Sequence, residues 1–230
     1  MAKRKIRTPF FVVNPKAYLY GEKSLELAVE ADKLAAEMDI DIIFTCQFVD
    51  VYAIKRATNN LILSAQHMDF LTPGAGMGHI LPEALKNAGF DATFLNHAER
   101  PLTVAALTKC IKRADELGIL TIACADSASD ATAIATLHPD VMVCEQTELI
   151  GTGKTGDISY MQATNEAVRA VSKNTLLLQA AGISTVADVR KAIESGADGT
   201  GGTSGIVCAK NPIQTMRDMV KAIKEVGSRR

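Results

Sequence analysis

The 230-residue chain contains no tryptophan, and aromatic residues make up only 5% of it. Hydrophobic residues nevertheless reach 47% of the sequence, so we expect a large core built mostly from alanine, valine, isoleucine and leucine. This length exceeds that of most single domains but is normal for a single α/β barrel.

An excess of charge of either sign is also missing, since the formal net charge is only -1. A balanced chain creates no field that would attract nucleic acid or an anionic membrane, so we expect neither as a partner. No apolar run is long enough for a signal-peptide core or a membrane span. The first run, residues 10–13, meets Asn14 and Pro15 after only four residues.

Cysteines are few and scattered, and no pair of them has the spacing of a CxxC motif or of zinc ligands. This pattern predicts a reduced, cytoplasmic protein whose thiols are buried. The five are Cys46, Cys110, Cys124, Cys144 and Cys208.

Eight short apolar runs alternate with longer amphipathic stretches along the whole chain. The last run is weak as a strand, because it contains three glycines. The predicted strands are residues 10–13, 41–44, 61–65, 92–95, 119–124, 141–144, 175–179 and 197–202. In the stretches between them, apolar residues recur at spacings of three and four, which is typical of amphipathic helices. The predicted helices are residues 22–37, 50–58, 79–88, 102–117, 126–136, 158–171, 185–195 and 211–226.

Continuous apolar strands that alternate with helices indicate a parallel sheet covered by helices. Eight such units predict an α/β protein with a single (βα)8 TIM barrel over residues 1–230. A doubly wound open sheet is the alternative fold. No glycine-rich dinucleotide-binding motif follows the first strand, and this argues against the alternative.

Polar residues and small turns follow several of the predicted strands. In a barrel, the residues just after each strand share one end, where the active site is built. Any one of these side chains could be a solvated charge or a helix cap, but their convergence at one end favours a site. They are Asn14 and Lys16 after strand 1, His97, Glu99 and Arg100 after strand 4, Glu145 after strand 6, Gly182 after strand 7, and Thr203, Ser204 and Gly205 after strand 8.

These residue types suit proton transfer next to a carbonyl group. A carboxylate can remove a proton from the adjacent carbon, and a neutral imidazole and an ammonium group can stabilise the enediolate that forms. Backbone N–H groups in glycine turns suit a phosphate dianion. The sequence shows no metal-binding cluster, so this chemistry would proceed without a metal or another cofactor.

At these positions the sequence resembles the triose-phosphate isomerases, particularly their short archaeal-type branch. The matching motifs occur in the family's order along nearly the whole chain. They are Asn14-Pro15-Lys16, Ala65-Gln66-His67, Gly78-His79-Ile80, His97-Ala98-Glu99-Arg100, Glu145 with Gly151-Thr152-Gly153, Ala181-Gly182-Ile183 and Ser204-Gly205.

The resemblance implies a role for each predicted site residue. Glu145 would be the base, and His97 would be the electrophile, kept neutral by the N-terminus of the following helical segment. Lys16 would supply positive charge, with Asn14 and Glu99 holding it and the substrate. Residues 146–153 would form a lid over the phosphate. The phosphate site would be lined by Ile150, Gly151, Gly182, Thr203, Ser204 and Gly205.

Four features depart from the family pattern. Ala98 replaces a serine and so removes one hydrogen bond to the resting glutamate, while Pro101 stands where a second arginine is common. Met77 replaces a threonine of the subunit-interface loop. Gly201-Gly202 replace larger residues in the last strand, which predicts a thinner barrel wall near the phosphate.

The resemblance implies interconversion of glyceraldehyde 3-phosphate and dihydroxyacetone phosphate. One alternative is an isomerase of a four-carbon ketose phosphate of the erythrulose phosphate type, for which Gly201-Gly202 or Met77 could give room. Others are a non-catalytic phosphate-binding barrel and a phosphate-binding lyase or synthase, although no additional acids appear for the last. The loop at residues 72–78 resembles the interface loop, so we expect a homodimer or a homotetramer.

Overall fold

The computed structural model describes residues 2–227, in which eight parallel strands close into one barrel in chain order. This confirms the predicted (βα)8 TIM barrel, and each predicted strand is present. The strands are β1 Phe10–Val13, β2 Ile42–Thr45, β3 Ile62–Ala65, β4 Ala92–Leu95, β5 Leu120–Ala125, β6 Val141–Cys144, β7 Leu176–Gln179 and β8 Gly199–Gly202. It remains a prediction that a single domain extends over residues 1–230. Met1 and residues 228–230 lie outside the described residues.

Helices follow the strands and cover the outside of the barrel. They are α1 Gly21–Met38, α2 Val51–Ala57, α3 Pro82–Ala88, α4 Val104–Leu117, α5 Ala128–Ala135, α6 Ile158–Val171, α7 Val186–Glu194, α8 Ser204–Val207 and α9 Pro212–Gly227. The one-turn helix α8 was not predicted, because four residues are too few to show a helical period.

Three helices, α3, α4 and α5, begin two or more residues later than the sequence predicts, and the first two show the cause. The third starts at Pro82 rather than at residue 79, since proline suits the first helical position, where no N–H is needed. The fourth starts at Val104 rather than at residue 102. The Thr103 hydroxyl accepts a hydrogen bond from the Ala106 backbone N–H at 3.2 Å and so caps this helix.

Strands β1 and β8 close the barrel, and here the expected thin wall is not found. A Cβ atom on Gly199 would lie 2.6 Å from the Phe10 ring, and one on Gly201 would lie 2.1 Å from the Val12 carbonyl oxygen. Neighbouring groups of β1 therefore fill the space that side chains would need. The glycines of β8 permit close packing against β1 and do not leave room for a larger substrate at Gly201.

The core has two layers, one inside the barrel and one between the strands and the helices. The inner layer contains Phe10, Val12, Ile43, Ile62, Phe94 and Ile122 among others. Four cysteines are buried as predicted, but the prediction was wrong for Cys208, which is exposed in the turn after α8. None of the helices within residues 2–227 is long and apolar enough to cross a membrane.

We call the end of the barrel where the strands begin the amino-end face. An aspartate directly precedes each even-numbered strand there: Asp41, Asp91, Asp140 and Asp198. Basic side chains reach each of them: Arg7 at 2.7 Å, Arg4 at 3.5 Å, Lys3 at 2.6 Å and Arg169 at 3.4 Å, respectively. Three of these four cations belong to the segment before β1, so that segment is fixed across the amino-end face.

Candidate active site

A cavity of about 180 Å³ opens at the carboxyl ends of the strands, the end predicted to carry the site. Ten of the eleven predicted site residues line it: Asn14, Lys16, His97, Glu99, Glu145, Ile150, Gly151, Gly182, Thr203 and Ser204. The eleventh, Gly205, packs behind it, because a Cβ atom there would lie 2.3 Å from the Ile183 carbonyl oxygen. The apolar wall of the cavity includes Val12, Phe94, Val143 and Leu178.

Lys16 is held in a left-handed backbone conformation, with φ of 47°. This conformation costs a residue with a side chain about 1 kcal/mol, so other contacts must hold it. The Asn14 side-chain oxygen accepts the Lys16 backbone N–H at 3.0 Å and also the Thr45 hydroxyl. The side-chain amides of Gln66 and Gln47 donate to the Lys16 carbonyl at 2.8 and 3.0 Å. Three strand ends thus fix the direction in which the lysine points.

The lysine ammonium reaches across the barrel to the loop after β4. Its Nζ lies 3.1 Å from Glu99 Oε1, and the Lys16 side chain is only 14% exposed, whereas Glu99 is 62% exposed. The pair therefore places a largely buried ammonium group at the mouth of the cavity. An exposed carboxylate partner is screened by water, so it orients the ammonium without neutralising its field inside the cavity.

His97 lies at the centre of the site with its protonation pattern set by a backbone contact. Its Nδ1 accepts the Glu99 N–H at 3.1 Å, so a neutral ring carries its proton on Nε2, which faces the cavity. Burial lowers the pKa of His97, and the nearby Lys16 ammonium lowers it further, against the opposing effect of Glu99.

The expected source of that neutrality was wrong. The next helix, α4, begins only at Val104, seven residues after His97, and Pro101 lies in the loop before it. A helix terminus acts mainly within its first turn. Burial and the charge of Lys16 therefore keep His97 neutral.

Glu145 directly follows β6 and faces His97 across the cavity. Its Oε2 lies 3.7 Å from His97 Nε2, and its side chain is only 14% exposed. Within residues 2–227, no hydrogen bond reaches its carboxylate, in keeping with the alanine at position 98. Burial raises the pKa of Glu145, Glu99 and Asp126 add to the rise, and Lys16 opposes it. A carboxylate in this state is a stronger base than one in water.

The other half of the cavity is built from glycine turns. Gly151 and Gly182 have φ of 75° and 66°. A Cβ atom on Gly182 would lie 1.9 Å from the Lys154 carbonyl oxygen, so only glycine allows the segment after the lid to pack on this turn. Thr203 and Ser204 complete this side of the cavity from the end of β8.

Four residues that shape the site were not among the predicted site residues, although Gln66 belongs to one of the matching motifs. Gln47 and Gln66 orient Lys16, Thr45 orients Asn14, and Tyr18 lines the cavity. Both glutamines follow predicted strands, so the same rule that found Glu145 would have found them. In the part of the chain that the structure describes, no group of histidine, cysteine, aspartate and glutamate side chains could hold a metal ion.

A family model described as "Triosephosphate isomerase" matches residues 9–223. The chain belongs to the triosephosphate isomerase family. The resemblance that the motifs indicated is thereby confirmed over nearly the whole sequence.

Similar proteins come from several archaea, and all three described here carry the name "Triosephosphate isomerase". The chain is 36% identical over 221 residues to the one from Methanobacterium bryantii, which covers 94% of this chain and 97% of that protein. It is 37% identical over 217 residues to the one from Methanocaldococcus jannaschii, covering 92% and 99%. It is 35% identical over 229 residues to the one from Sulfolobus acidocaldarius, covering 97% and 99%.

Proposed function

We propose that this member of the triosephosphate isomerase family interconverts glyceraldehyde 3-phosphate and dihydroxyacetone phosphate. The observation that carries the proposal is the convergence of Glu145, His97 and Lys16 on one small cavity, from strand ends remote in sequence. The names of the similar proteins support the triose as substrate and do not favour the four-carbon alternative. Binding of phosphate alone would require no base, so Glu145 argues against a purely binding role.

Glu145 is the proposed base. Its carboxylate takes the proton from the carbon next to the substrate carbonyl and returns it to the neighbouring carbon, which converts aldose into ketose. No hydrogen bond from residues 2–227 reaches this carboxylate, so both of its oxygens are available to the substrate. Burial makes the carboxylate a stronger base, and the apolar wall formed by Phe94 and Leu178 keeps water away from it.

His97 and Lys16 are the proposed stabilisers of the enediolate. The Nε2–H of neutral His97 donates to the substrate oxygens, and its direction is fixed before the substrate arrives because Nδ1 is held by the Glu99 N–H. Lys16 supplies a fixed positive charge where negative charge develops. Groups that are oriented in advance need no reorganisation during the reaction, which is the main advantage of such a site over water.

Asn14 and Glu99 act on the substrate through Lys16. Asn14 fixes the lysine backbone, and Glu99 directs its ammonium group. The phosphate binds to backbone groups of Ile150, Gly151, Gly182, Thr203 and Ser204, and Gly205 supports the last of these. Residues 146–153 close over it as a lid.

A homodimer or homotetramer is part of this proposal. Large hydrophobic side chains are exposed in the segments that follow β1, β2 and β3, including the first turn of α2: Tyr18, Tyr20, Val49, Tyr52, Phe70 and Met77. A cluster of this kind is typical of a surface that another protein chain covers. Met77 is fully exposed at the tip of the predicted interface loop. A cytoplasmic location stays a prediction.

The decisive experiment measures exchange and turnover together. Dihydroxyacetone phosphate is incubated with the protein in heavy water, and deuterium at its C1 carbon and formation of glyceraldehyde 3-phosphate are both followed. The proposal expects both, since the abstracted proton passes through Glu145. Absence of enzyme-dependent exchange would favour a binding protein instead.

The four-carbon alternative needs a separate comparison. The values of kcat/KM for the triose phosphate and for erythrulose phosphate are measured with the same preparation. We expect a strong preference for the triose, because Val12 fills the space beside Gly201. A higher kcat/KM with erythrulose phosphate would replace the proposed substrate by the four-carbon one.

A further inference from the structure

One carboxylate outside the cavity joins the two segments of the proposed phosphate site. Asp188, in the first turn of α7, accepts at Oδ2 the backbone N–H groups of Ser184 and Thr185, at 3.1 and 2.8 Å, and the Thr185 hydroxyl at 2.7 Å. Its other oxygen, Oδ1, accepts the hydroxyl of Thr155 at 3.2 Å. One oxygen therefore caps the helix, and the other holds the segment that ends the lid.

A second residue of the same helix holds the next position of that segment. Lys191 lies three residues after Asp188, so both side chains project from one face of α7. Its Nζ donates to the Gly156 carbonyl at 2.7 Å. Helix α7 thus hydrogen bonds to the Thr155 hydroxyl and to the Gly156 carbonyl, just after the lid.

These contacts lie where the two phosphate-binding segments touch. The turn after β7 carries Gly182, and Lys154 approaches it so closely that a Cβ atom would lie 1.9 Å from the Lys154 carbonyl oxygen. The position of Gly151 relative to Gly182 therefore depends on how residues 154–156 rest on the turn.

We propose that Asp188 is a positioning residue that fixes the C-terminal end of the lid to the turn after β7, so that the lid closes in one register. The inference rests on the proposed isomerase function. Asp188 lines no part of the cavity and acts through Thr155 and the turn. A lid with one fixed end loses less conformational entropy when it closes, so more of the phosphate binding energy is available for closure.

Imperfect closure has a chemical signature. The enediolate can expel inorganic phosphate when it is exposed: the C–O bond to phosphate breaks, its electron pair leaves with the phosphate, and the enol that remains takes up a proton to give methylglyoxal. No oxidant or reductant is consumed. The ratio of phosphate released to triose isomerised therefore reports on the lid, and a loss of global stability alone would not move it.

The test breaks the Thr155 contact and leaves the helix cap intact. Thr155→Val removes the hydroxyl and keeps the side-chain shape, whereas Thr155→Ser keeps the hydroxyl. For Thr155→Val we expect kcat/KM to fall about tenfold, the factor that corresponds to about 1.4 kcal/mol, and the elimination ratio to rise by a similar factor. Thr155→Ser should restore most of both values.

Thr108→Val is the matched control. Thr108 is exposed on α4, and its hydroxyl bonds only to the Val104 carbonyl of its own helix. This variant should leave kcat/KM and the elimination ratio unchanged. Lys191→Met is a second, independent variant that breaks the contact to Gly156, and it should change both values in the same direction as Thr155→Val.

The outcomes separate the two proposals. If the wild-type protein does not isomerise the triose phosphate, the proposed function fails. If it does, but Thr155→Val and Lys191→Met keep the wild-type elimination ratio, or if they lower only the melting temperature, the role of Asp188 is overturned. Failure of Thr155→Ser to restore the ratio overturns it as well.

Discussion

The amino-end face and the active-site end of this barrel place charged groups in contrasting surroundings. At the amino-end face, Asp140 accepts the Thr121 backbone N–H at 2.7 Å and the Lys3 ammonium at 2.6 Å. At the other end, Glu145 is more deeply buried, has no hydrogen-bond partner within residues 2–227 and has a raised pKa. A carboxylate with several hydrogen bonds stabilises the fold, whereas a largely buried carboxylate that the described residues leave without a hydrogen bond has a raised pKa and suits proton transfer.

Residues other than glycine adopt positive φ at both ends of the barrel. At the amino end, Asp39 is the C-cap of α1 and His138 lies in the turn before β6, whereas Lys16, Asn96 and Ala181 lie in the turns after β1, β4 and β7 near the candidate active site. Such conformations persist only where the surroundings hold them, and they cluster at functional sites. The proposed activity is therefore assigned to the end of the barrel where a largely buried carboxylate lacks a hydrogen bond from the described residues.

The largest expected effect comes from shortening the base. Glu145→Asp withdraws the carboxylate by one methylene, so kcat should fall by a factor of about 10² to 10³ while KM stays nearly unchanged. Steady-state kinetics with glyceraldehyde 3-phosphate measures both. Glu166→Asp, on the exposed face of α6, is the control and should have no effect. A large rise in KM with little change in kcat would make Glu145 a binding residue.

Removal of a lysine at the active-site end should weaken both binding and turnover. Lys16→Ala deletes a cation that faces the phosphate and the enediolate, and we expect kcat/KM to fall about 100-fold or more. The measurement is steady-state kinetics, accompanied by a urea unfolding curve. If only the unfolding curve changed, Lys16 would be a structural residue and the contrast between the two ends would be lost.

The pH dependence tests the perturbed groups directly. The pKa of Glu145 is raised above 4.5, chiefly by burial, so this base becomes protonated at a higher pH than an ordinary glutamate. We expect kcat/KM to fall about tenfold for each pH unit below that pKa. The pKa of His97 is lowered below 6.5, so the ring stays neutral to a lower pH than an ordinary histidine does. An acidic limb at or below 4.5 would contradict the burial argument.

The free energy of unfolding should also depend on pH through Glu145 and His97, and these two residues should act in opposite directions. Because the folded protein binds the Glu145 proton more tightly than the unfolded chain does, the penalty of burying this charge is present above the raised pKa and is relieved as the pH falls towards 4.5. His97 has the opposite influence, since stability is lost as the pH falls through 6.5 and the unfolded chain takes up the proton. Unfolding curves along the pH series separate these contributions from the loss of activity.

The smallest effect is expected at the amino-end face. Lys3→Ala is the same substitution as Lys16→Ala, but it removes a cation that bridges Asp115 and Asp140, both at 2.6 Å. We expect the free energy of unfolding to fall by about 1 kcal/mol or less, with weaker dependence on salt, and kcat/KM to stay unchanged. Loss of activity in this variant would show that the two ends are coupled.

Much of the fold could be predicted because the spacing of apolar residues within each strand or helix is a property of that segment alone. All eight strands lie within the predicted runs or overlap them, since parallel strands buried on both faces are nearly continuous in apolar residues. Strand β8 is the exception, because three of its four residues are glycine. Helix boundaries were less accurate, because Thr103 and Pro82 fix the starts of α4 and α3 through capping and proline geometry rather than through apolar spacing. Helix α8 is too short to have a period.

The site was predictable for a topological reason. Once parallel strands close into a barrel, their carboxyl ends meet, so polar residues that follow the strands must converge. What could not be predicted was orientation: that Gln47 and Gln66 hold the Lys16 carbonyl, or that His97 is kept neutral by burial beside Lys16. These contacts join segments that are far apart in the chain and have no common sequence motif.

The alternation of strands and helices could be inferred from the residues alone, and with it the end of the barrel at which Glu145, His97 and Lys16 meet. Their surroundings depend on contacts between segments: Glu145 faces His97 without a hydrogen bond from residues 2–227, Val12 fills the space beside Gly201, and Asp188 reaches Thr155. The reason is physical, because periodicity records burial along one segment, whereas pKa values, close packing and hydrogen bonds depend on distances between segments.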